Sequence, residues 1–170
     1  TPPPPPHTHT TAKSSAASDV YKRQVCKMAI GWGIVVLALS LLCWGGQTIA
    51  WLAPETAARW NLMEAEDDVE ATYWADIRGE APWDALTLWT LVVAGVLLIL
   101  DRSTWAYFGL AGGGMYVYFA GRGILTRVAM QRRGLRIGAP KNVQLGQTML
   151  AVWGLMGLIT IVAAVAALAE

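Results

Sequence analysis

Four apolar stretches recur along this chain, and two strongly charged stretches interrupt them. A helix needs about 20 mostly apolar residues to cross about 30 Å of hydrocarbon, and each stretch approaches or exceeds that length. The pattern therefore predicts an all-α integral membrane protein in which four transmembrane helices form one bundle. The predicted spans are residues 29–52, 83–100, 104–121 and 145–168.

Prolines and charges set the limits of these spans. The first ends before Pro54, because the residue that precedes a proline disfavours helical dihedrals. The second is short in its apolar part, so we expect it to begin near Pro82, since proline is tolerated in a first turn. The third follows directly after Asp101, Arg102 and Ser103. This spacing predicts a tight transmembrane hairpin that turns at these three residues.

The two charged stretches have opposite signs. Residues 53–82 form the predicted acidic loop, and residues 122–144 form the predicted basic loop. Lys and Arg residues close to helix ends mark the cytoplasmic side of a membrane protein. We therefore expect the basic loop in the cytoplasm. Four spans bring the acidic loop to the same side, where the two loops can pair, and the compact chain favours a bacterial inner membrane.

The segment of residues 1–27 lacks the pattern of a folded domain. A proline run, a His-Thr alternation and a Ser/Ala patch precede the first apolar stretch, and none of them can bury a core. Residues 1–24 resemble a translated sequencing-adaptor scar, most clearly at residues 19–24. We expect this segment to be disordered and exclude it from the fold. Residues 28–170 are then the membrane domain, with Met28 as a plausible start.

Composition agrees with a membrane protein and offers little chemistry. The chain is 55% hydrophobic and 15% charged, whereas a soluble domain is about 25% charged. Cys26 and Cys43 form no redox or metal motif. No phosphate-binding loop, dinucleotide-binding motif or nucleophile elbow occurs. We therefore assign no catalytic residue, expect no cofactor and favour a non-enzymatic role.

Three carboxylates recur every fourth residue before the second span. If this stretch is helical, Asp76, Glu80 and Asp84 share one face. Such a face could bind a divalent cation or relay protons at the membrane surface. The simpler interpretation is a set of salt bridges to Arg78, Arg122 or Arg127. Zinc is unlikely because the only histidines lie in residues 1–24. The spans contain no central charge, which disfavours a proton pump.

The third span contains small and aromatic residues that suggest packing or binding. Gly109, Gly113 and Gly121 share one face, and small residues at this spacing let helices approach closely. They predict packing within the chain or, alternatively, an oligomer face. Tyr116 and Tyr118 could line a polar cavity and contact a quinone or a lipid headgroup. Gln47 in the first span is either a helix–helix hydrogen-bonding residue or a ligand contact.

The bases of the predicted basic loop have a topological role and can attract anionic lipid headgroups. Nucleic acid is not an expected partner, because aromatic residues do not interleave with these bases. The bases are Arg122, Arg127, Arg132, Arg133, Arg136 and Lys141.

Residues 74–100 carry a resemblance to a known family. The sequence Ile77-Arg78-Gly79-Glu80 leads into an Ala/Leu-rich span that contains Gly95. This arrangement resembles small DoxX-like four-helix bacterial membrane proteins, which show a similar Arg-Gly step before their second span. The resemblance implies a four-helix membrane fold over residues 28–170. Members of that group are mostly uncharacterised, and some are accessory subunits of quinone-linked oxidoreductases, so no catalytic residue is carried over.

Three functions remain open at this point. The leading hypothesis is an accessory or scaffold subunit of a membrane complex, with the two charged loops as docking surfaces. Its partners would be the lipid bilayer and either another membrane protein or further copies of the chain. The second hypothesis is a small oligomeric transporter or channel. The third is a quinone- or lipid-binding redox component of the membrane.

Overall fold

The structure is a computed structural model that describes residues 10–169, with side chains described from Lys27 onward and for Gln24. This part of the chain is helical and contains no β-strand. The all-α class is therefore confirmed. The helices are α1 (Thr10–Leu52), α2 (Pro54–Arg59), α3 (Ala71–Thr87), α4 (Trp89–Ile99), α5 (Trp105–Arg132) and α6 (Pro140–Leu168), with a 3-10 turn at Glu66–Asp68.

Three helical segments are long and apolar enough to cross a membrane. They are Lys27–Leu52, Ala71–Ile99 and Pro140–Leu168. The predicted third span, residues 104–121, lies within α5, which has the required length but not the required hydropathy. Its glycines, tyrosines and Arg122 lower the mean hydropathy of the helix. The membrane-embedded class is supported by three spans, and a fourth span in α5 remains a prediction.

The second span begins earlier than Pro82. Helix α3 starts at Ala71 and includes Pro82 in its interior, and α4 follows after Leu88 alone. Leu88 keeps near-helical dihedrals (φ −72°, ψ −14°), so α3 and α4 form one rod, Ala71–Ile99. The expectation of an acidic loop over residues 53–82 is therefore wrong. That stretch contains α2, the 3-10 turn and most of α3. The polar residues of α3 kept this part of the helix from appearing in the hydropathy pattern.

The predicted basic loop is also mostly helical. Helix α5 continues to Arg132, and α6 begins at Pro140, where proline suits a first helical turn. Of residues 122–144, only 133–139 form a linker. Arg122, Arg127 and Arg132 therefore lie on α5 rather than in a loop.

The N-terminal segment differs from its expected disorder. Helix α1 begins at Thr10 and runs without a break into the apolar stretch. Adding a residue to an existing helix is far easier than nucleating a new one, and the Ala, Ser and Lys residues after the proline run permit it. The disorder expected for residues 10–27 is thus corrected, whereas residues 1–9 lie outside the described part.

Three helices end in the same hydrogen-bonded turn. Asn61, Asp101 and Gly134 each have positive φ (58°, 52° and 73°), and each is the second residue after the last residue of a helix. In each turn the amide of the positive-φ residue and that of the following residue bond back into the last helical turn; for Asp101 the bonds are Asp101 N to Leu98 O (3.1 Å) and Arg102 N to Leu97 O (2.9 Å). This is a Schellman motif. At Asp101 it reverses the chain, at the residues where the spacing predicts a hairpin.

Neighbouring long helices run antiparallel. Arg78 at the start of the α3–α4 rod donates to the carbonyl of Ala50 at the end of α1. At the far end, Gly33 of α1 lies against Leu98. Helices α5 and α6 meet at Gly113 and Gly157, and again at Gln131 and Gln147 near the C-terminal end of α5. The α1 helix, the α3–α4 rod, α5 and α6 therefore stand side by side.

The acidic and basic stretches meet at one end of these helices, which we call the polar end. Glu70 N donates to Arg136 O (2.7 Å), and Val69 pairs with Ile137 in an isolated antiparallel bridge. Val69, Tyr73, Ile137 and Val143 form a small buried cluster beneath this bridge. The expectation that the two charged stretches share a side of the protein agrees with this geometry.

Glycines bring the helix backbones into direct contact. A Cβ atom built on Gly95 would lie 2.8 Å from the Leu37 amide nitrogen of α1, and one on Gly112 would lie 2.8 Å from that of Leu91. On Gly113 it would lie 2.8 Å from the Gly157 carbonyl oxygen of α6. The helices thus touch in series, α1 to α4 to α5 to α6.

The outer surface is apolar. Large hydrophobic side chains remain exposed along the outward faces of the long helices, the opposite of the pattern of a soluble bundle. Examples are Ile34, Val35, Leu41 and Leu42 on α1 and Leu155, Leu158, Ile159 and Val162 on α6.

Adjacent glycines of α5 provide a matched test of this packing. Gly113→Ala forces a Cβ against the backbone of α6, whereas Gly114 has nothing within 4 Å of a built Cβ. We expect Gly113→Ala to lower the free energy of unfolding by about 1–3 kcal/mol, the usual effect of overpacking. Gly114→Ala should leave it unchanged or raise it by up to about 1 kcal/mol, because alanine favours helix. Denaturant unfolding in detergent micelles measures both. Equal effects would contradict the contact.

Candidate functional site

A cavity of about 350 Å³ opens between α1 and α6 near the polar end, and we call it the α1–α6 cavity. Residues 61–64 cover it at the polar end, and α3 and α5 form its back wall. Its polar lining residues are Gln47, Asn61, Glu64, Tyr73, Glu80, Arg127 and Asn142. Its apolar lining includes Leu42, Cys43, Phe119, Met149, Leu150 and Trp153.

Arg127 is the cation of this cavity. Its guanidinium lies over the Tyr73 ring, 5.7 Å from the centroid, and its Nη1 atom donates to the Gly123 carbonyl (3.1 Å). Stacking on an aromatic ring fixes the plane of the guanidinium. Among the described side chains, no carboxylate lies within 4.0 Å of Arg127. Arg127 therefore stands in the cavity wall without a salt bridge.

Glu64 closes the cavity from the irregular segment between α2 and α3. Gly138 (φ 116°) lies against it, and a Cβ at that position would overlap the Glu64 carboxyl group. Burial raises the pKa of the Glu64 carboxyl above its usual range, and the neighbouring Asn142 side chain partly offsets this effect. Asn142 also donates to Asn61 Oδ1 (3.2 Å). The start of α6 is thereby tied to the segment that covers the cavity.

The deeper part of the cavity is apolar and opens sideways. Phe119 packs on Trp153 with ring centroids 6.1 Å apart, and the Trp153 indole donates to the Leu39 carbonyl (3.1 Å). Leu42 and Leu145 form the outer rim and are 52% and 55% exposed. The cavity therefore has a polar end beside Arg127 and an apolar opening on the outer surface of the helices.

The repeated carboxylates form an ion-pair cluster with α5. Arg122 Nη2 donates to Asp76 Oδ1 (2.6 Å), and Arg122 Nη1 lies 2.5 Å from Glu80 Oε1. This agrees with the salt-bridge interpretation of the sequence. Among the described residues, no group of three or more His, Cys, Asp or Glu side chains is placed to hold a metal ion. Asp76, Glu80 and Asp84 are thus not arranged as the cation site that their spacing suggested.

Asp84 is buried among the helices and forms no salt bridge with Arg122. Its side chain is only 4% exposed, and its Oδ2 atom has no hydrogen-bond partner among the described residues. Within the rod Ala71–Ile99, Asp84 follows a polar stretch that contains Asp76, Arg78 and Glu80 and precedes the apolar residues that continue into α4. The predicted span of residues 83–100 has Asp84 near its start, and the structure adds that this side chain is enclosed by the neighbouring helices.

The other predicted ligand residues separate. Gln47 lines the α1–α6 cavity. Tyr116 is fully buried and donates to the Ser40 carbonyl (3.2 Å), so its hydroxyl joins α5 to α1 instead of facing the cavity. Tyr118 is 63% exposed and lies on the outer surface. A shallow surface depression, the outer groove, is lined by Ala75, Asp76, Gly79, Glu80, Trp83, Tyr118 and Arg122.

The residues of the predicted glycine face and of the predicted basic loop also lie in different surroundings. Gly109 and Gly113 contact α6, which agrees with packing within the chain, whereas Gly121 has nothing within 4 Å of a built Cβ. Arg122 and Arg127 serve the ion pair and the cavity. The remaining bases are exposed at the polar end: Arg132, Arg133, Arg136 and Lys141.

Several cavity residues were missed from the sequence. Glu64, Asn61 and Asn142 come from an irregular segment and a helix start that lie far apart in sequence. Tyr73 and Arg127 carry a weak signal, since each is polar within a helix that packs against another. That signal needs the helix limits at Ala71 and Arg132, which hydropathy alone did not provide.

No family model matches this chain, and no curated protein or solved structure is significantly similar to it. The resemblance of residues 74–100 to DoxX-like proteins therefore stays a prediction.

Arg122 offers a test of the ion-pair cluster. Arg122→Gln leaves the half-buried carboxylates of Asp76 and Glu80 without a cation. We expect it to lower the free energy of unfolding by about 1–3 kcal/mol, less than for a fully buried pair because water screens the site. The control is Arg132→Gln on the exposed end of α5, which should change stability by less than about 0.5 kcal/mol. Denaturant unfolding compares them, and an equally small loss for Arg122→Gln would exclude a structural role for the pair.

Proposed function

We propose that this protein is a four-span membrane protein that binds an amphipathic, lipid-like molecule in the α1–α6 cavity. The observation that carries the proposal is the division of the cavity wall, polar beside Arg127 and apolar at the rim. A lipid or a quinone has the same division between a polar head and an apolar tail. The volume of about 350 Å³ suits a headgroup or a quinone ring, and lies at the small end of ligand sites.

The fourth span of this proposal is α5. Its 28 residues correspond to a length of about 42 Å at 1.5 Å per residue, which exceeds the hydrocarbon thickness. It packs between α4 and α6, both of which belong to apolar segments of membrane length. Gly109, Gly112, Gly113 and Tyr116 face helices rather than lipid, so a low hydropathy does not require α5 to lie outside the membrane.

The proposed orientation places the polar end in the cytoplasm. All six bases of residues 122–141 lie at or near that end, and the positive-inside rule favours the cytoplasm for such a cluster. Trp51 and Trp60 are exposed there, as expected for indole rings at a membrane–water boundary. The ligand headgroup would then sit at the level of the cytoplasmic leaflet, with its tail between α1 and α6.

An accessory role in a membrane complex is the second candidate. The 3-10 turn presents Glu66, Asp67 and Asp68 to solvent, and the Glu70–Arg136 contact holds it at the polar end. These charges would suit a basic partner surface. A triple variant, Glu66→Gln, Asp67→Asn and Asp68→Asn, should release such a partner in native gels of host membranes. An unchanged pattern of complexes would remove this candidate.

The oligomeric transporter is less well supported. Its motivation was the glycine face of α5, and Gly109 and Gly113 of that face already contact α6 within the chain.

Two adjacent glycines of α1 test the ligand site. Both Gly45 and Gly46 have nothing within 4 Å of a built Cβ, but only Gly46 lines the cavity. Gly46→Leu should fill the cavity and weaken binding by about tenfold or more, which corresponds to about 1.4 kcal/mol. Gly45→Leu should bind as the unsubstituted protein does. Arg127→Gln should also weaken binding, because it removes the headgroup donor.

Native mass spectrometry of the full chain in lipid nanodiscs measures this binding. The probes are a phosphatidylglycerol and a short-chain benzoquinone, added separately. If Gly46→Leu retains less of one probe than the unsubstituted protein and Gly45→Leu does not, the result supports the site, and that probe identifies the ligand class. Failure of the protein to retain either probe, or equal retention by both variants, would contradict the proposal.

A further inference from the structure

Among the residues that the structure describes, Asp84 is the one acidic or basic residue that is buried in the interior of the bundle. Its side chain is 96% shielded, and its Oδ2 atom is buried without a hydrogen-bond partner among the described residues. It stands where the polar first part of the rod, with Asp76 and Glu80, meets the apolar part, and its own side chain lies inside the bundle. A carboxylate is costly in such surroundings unless donors or a cation compensate its charge.

The groups that face Asp84 do not supply that compensation. Cys43 faces it from α1, Tyr116 and Arg122 from α5, and Glu80 from its own helix. The Tyr116 hydroxyl donates to Ser40 O (3.2 Å). Arg122 is held by Asp76 and Glu80 at 2.6 Å and 2.5 Å. Three carboxylates therefore share a single guanidinium, and Asp84 is the one that it does not reach.

We propose that Asp84 is a proton-binding site, which holds a proton in the folded protein and exchanges it with the outer groove through Glu80. A protonated carboxyl group is neutral, so its burial costs far less than that of a carboxylate. The ligand of this site is the proton alone, and the proposal does not depend on an amphipathic molecule in the cavity.

Glu80 is placed to act as the relay. It precedes Asp84 by four residues and so shares its face of α3. It lines the outer groove, and on its other side it lines the α1–α6 cavity. A proton that reaches Glu80 from the groove neutralises it and frees it from Arg122, while Arg122 keeps its bond to Asp76. Glu80 then passes that proton to an ionised Asp84, becomes a carboxylate again and returns to Arg122. The net change is the transfer of one proton to Asp84, because the contact between Glu80 and Arg122 breaks and then forms again.

The path is closed beyond Asp84. Toward the hairpin at Asp101, the buried residues of the rod are apolar: Leu88, Leu91, Ala94 and Leu98. Val36 of α1 packs beside them in the same core cluster. A proton that reaches Asp84 through Glu80 must therefore leave through Glu80, to the outer groove or to the α1–α6 cavity, both on the same side of Asp84. This makes Asp84 a one-sided binding site rather than a step in conduction across the membrane.

Infrared spectroscopy of the full chain in lipid nanodiscs tests the protonation. At neutral pH we expect the C=O stretching band of a protonated carboxyl group, and this band should disappear in Asp84→Asn and remain in Asp68→Asn. Because Asn mimics the neutral acid in size, Asp84→Asn should fold. As a check that needs no variant, the band of the unsubstituted protein should shift when its aspartates carry carbon-13. A spectrum without a protonated aspartate would overturn the proposal.

Hydrogen–deuterium exchange of the same band tests the route. After transfer into D₂O, the Asp84 band should shift promptly in the unsubstituted protein and in Glu66→Gln. In Glu80→Gln we expect the exchange to slow by about 100-fold, the lower end of what a positioned proton-transfer group contributes. Exchange at the same rate in Glu80→Gln would exclude Glu80 as the relay.

Discussion

Helix backbones in this protein touch at glycines, and both the cavity and the buried carboxyl group depend on that contact. The outer surface is apolar, so burial of apolar side chains would give little preference for one helix arrangement over another in a lipid environment. Close contact at Gly95, Gly112 and Gly113 fixes the spacing of the helices instead. It brings α5 near enough to α3 for Arg122 to reach Asp76 and Glu80.

The same packing explains why the polar chemistry gathers at one end. Where glycines line the helix contacts, as at Gly33 and Gly112, there is no room for long polar side chains between the helices. Nearer the polar end, the α1–α6 cavity lies between α1 and α6 and has polar residues in its lining. Residues 61–64 cover it at that end, where the Val69–Ile137 bridge and the Glu70–Arg136 hydrogen bond join the acidic and basic stretches. The proposed ligand site therefore lies in the cavity, whereas the glycine contacts elsewhere hold the helices together.

Much of the architecture could be predicted from the sequence. Uninterrupted apolar runs located α1, α4 and α6, and the short spacing around Asp101 located the turn. The start of the α3–α4 rod could not be read, because its first half is polar on the side that meets Arg122. The burial of Asp84 could not be read either, because it depends on the neighbouring helices that enclose this side chain.

The candidate site was less predictable, because it depends on the rotation of each helix. Periodicity shows that Gly112, Gly113 and Gly114 lie on α5, but only the packed structure shows that Gly114 faces outward. Tyr116 and Tyr118 are two residues apart and therefore point to different sides, one to Ser40 and one to the surface. Glu64 reaches the cavity from an irregular segment, for which no periodicity exists.

The central claim is that α5 crosses the membrane, so that the acidic and basic stretches lie on one side and the hairpin on the other. Cysteine labelling in sealed vesicles tests it directly, in a chain with Cys26→Ser and Cys43→Ala. Single substitutions Asp68→Cys, Arg133→Cys and Ser103→Cys report on the three positions. We predict that a membrane-impermeant reagent labels Asp68→Cys and Arg133→Cys from the same side and Ser103→Cys from the opposite side. Labelling of Arg133→Cys on the same side as Ser103→Cys would show that α5 does not cross, and would contradict the account.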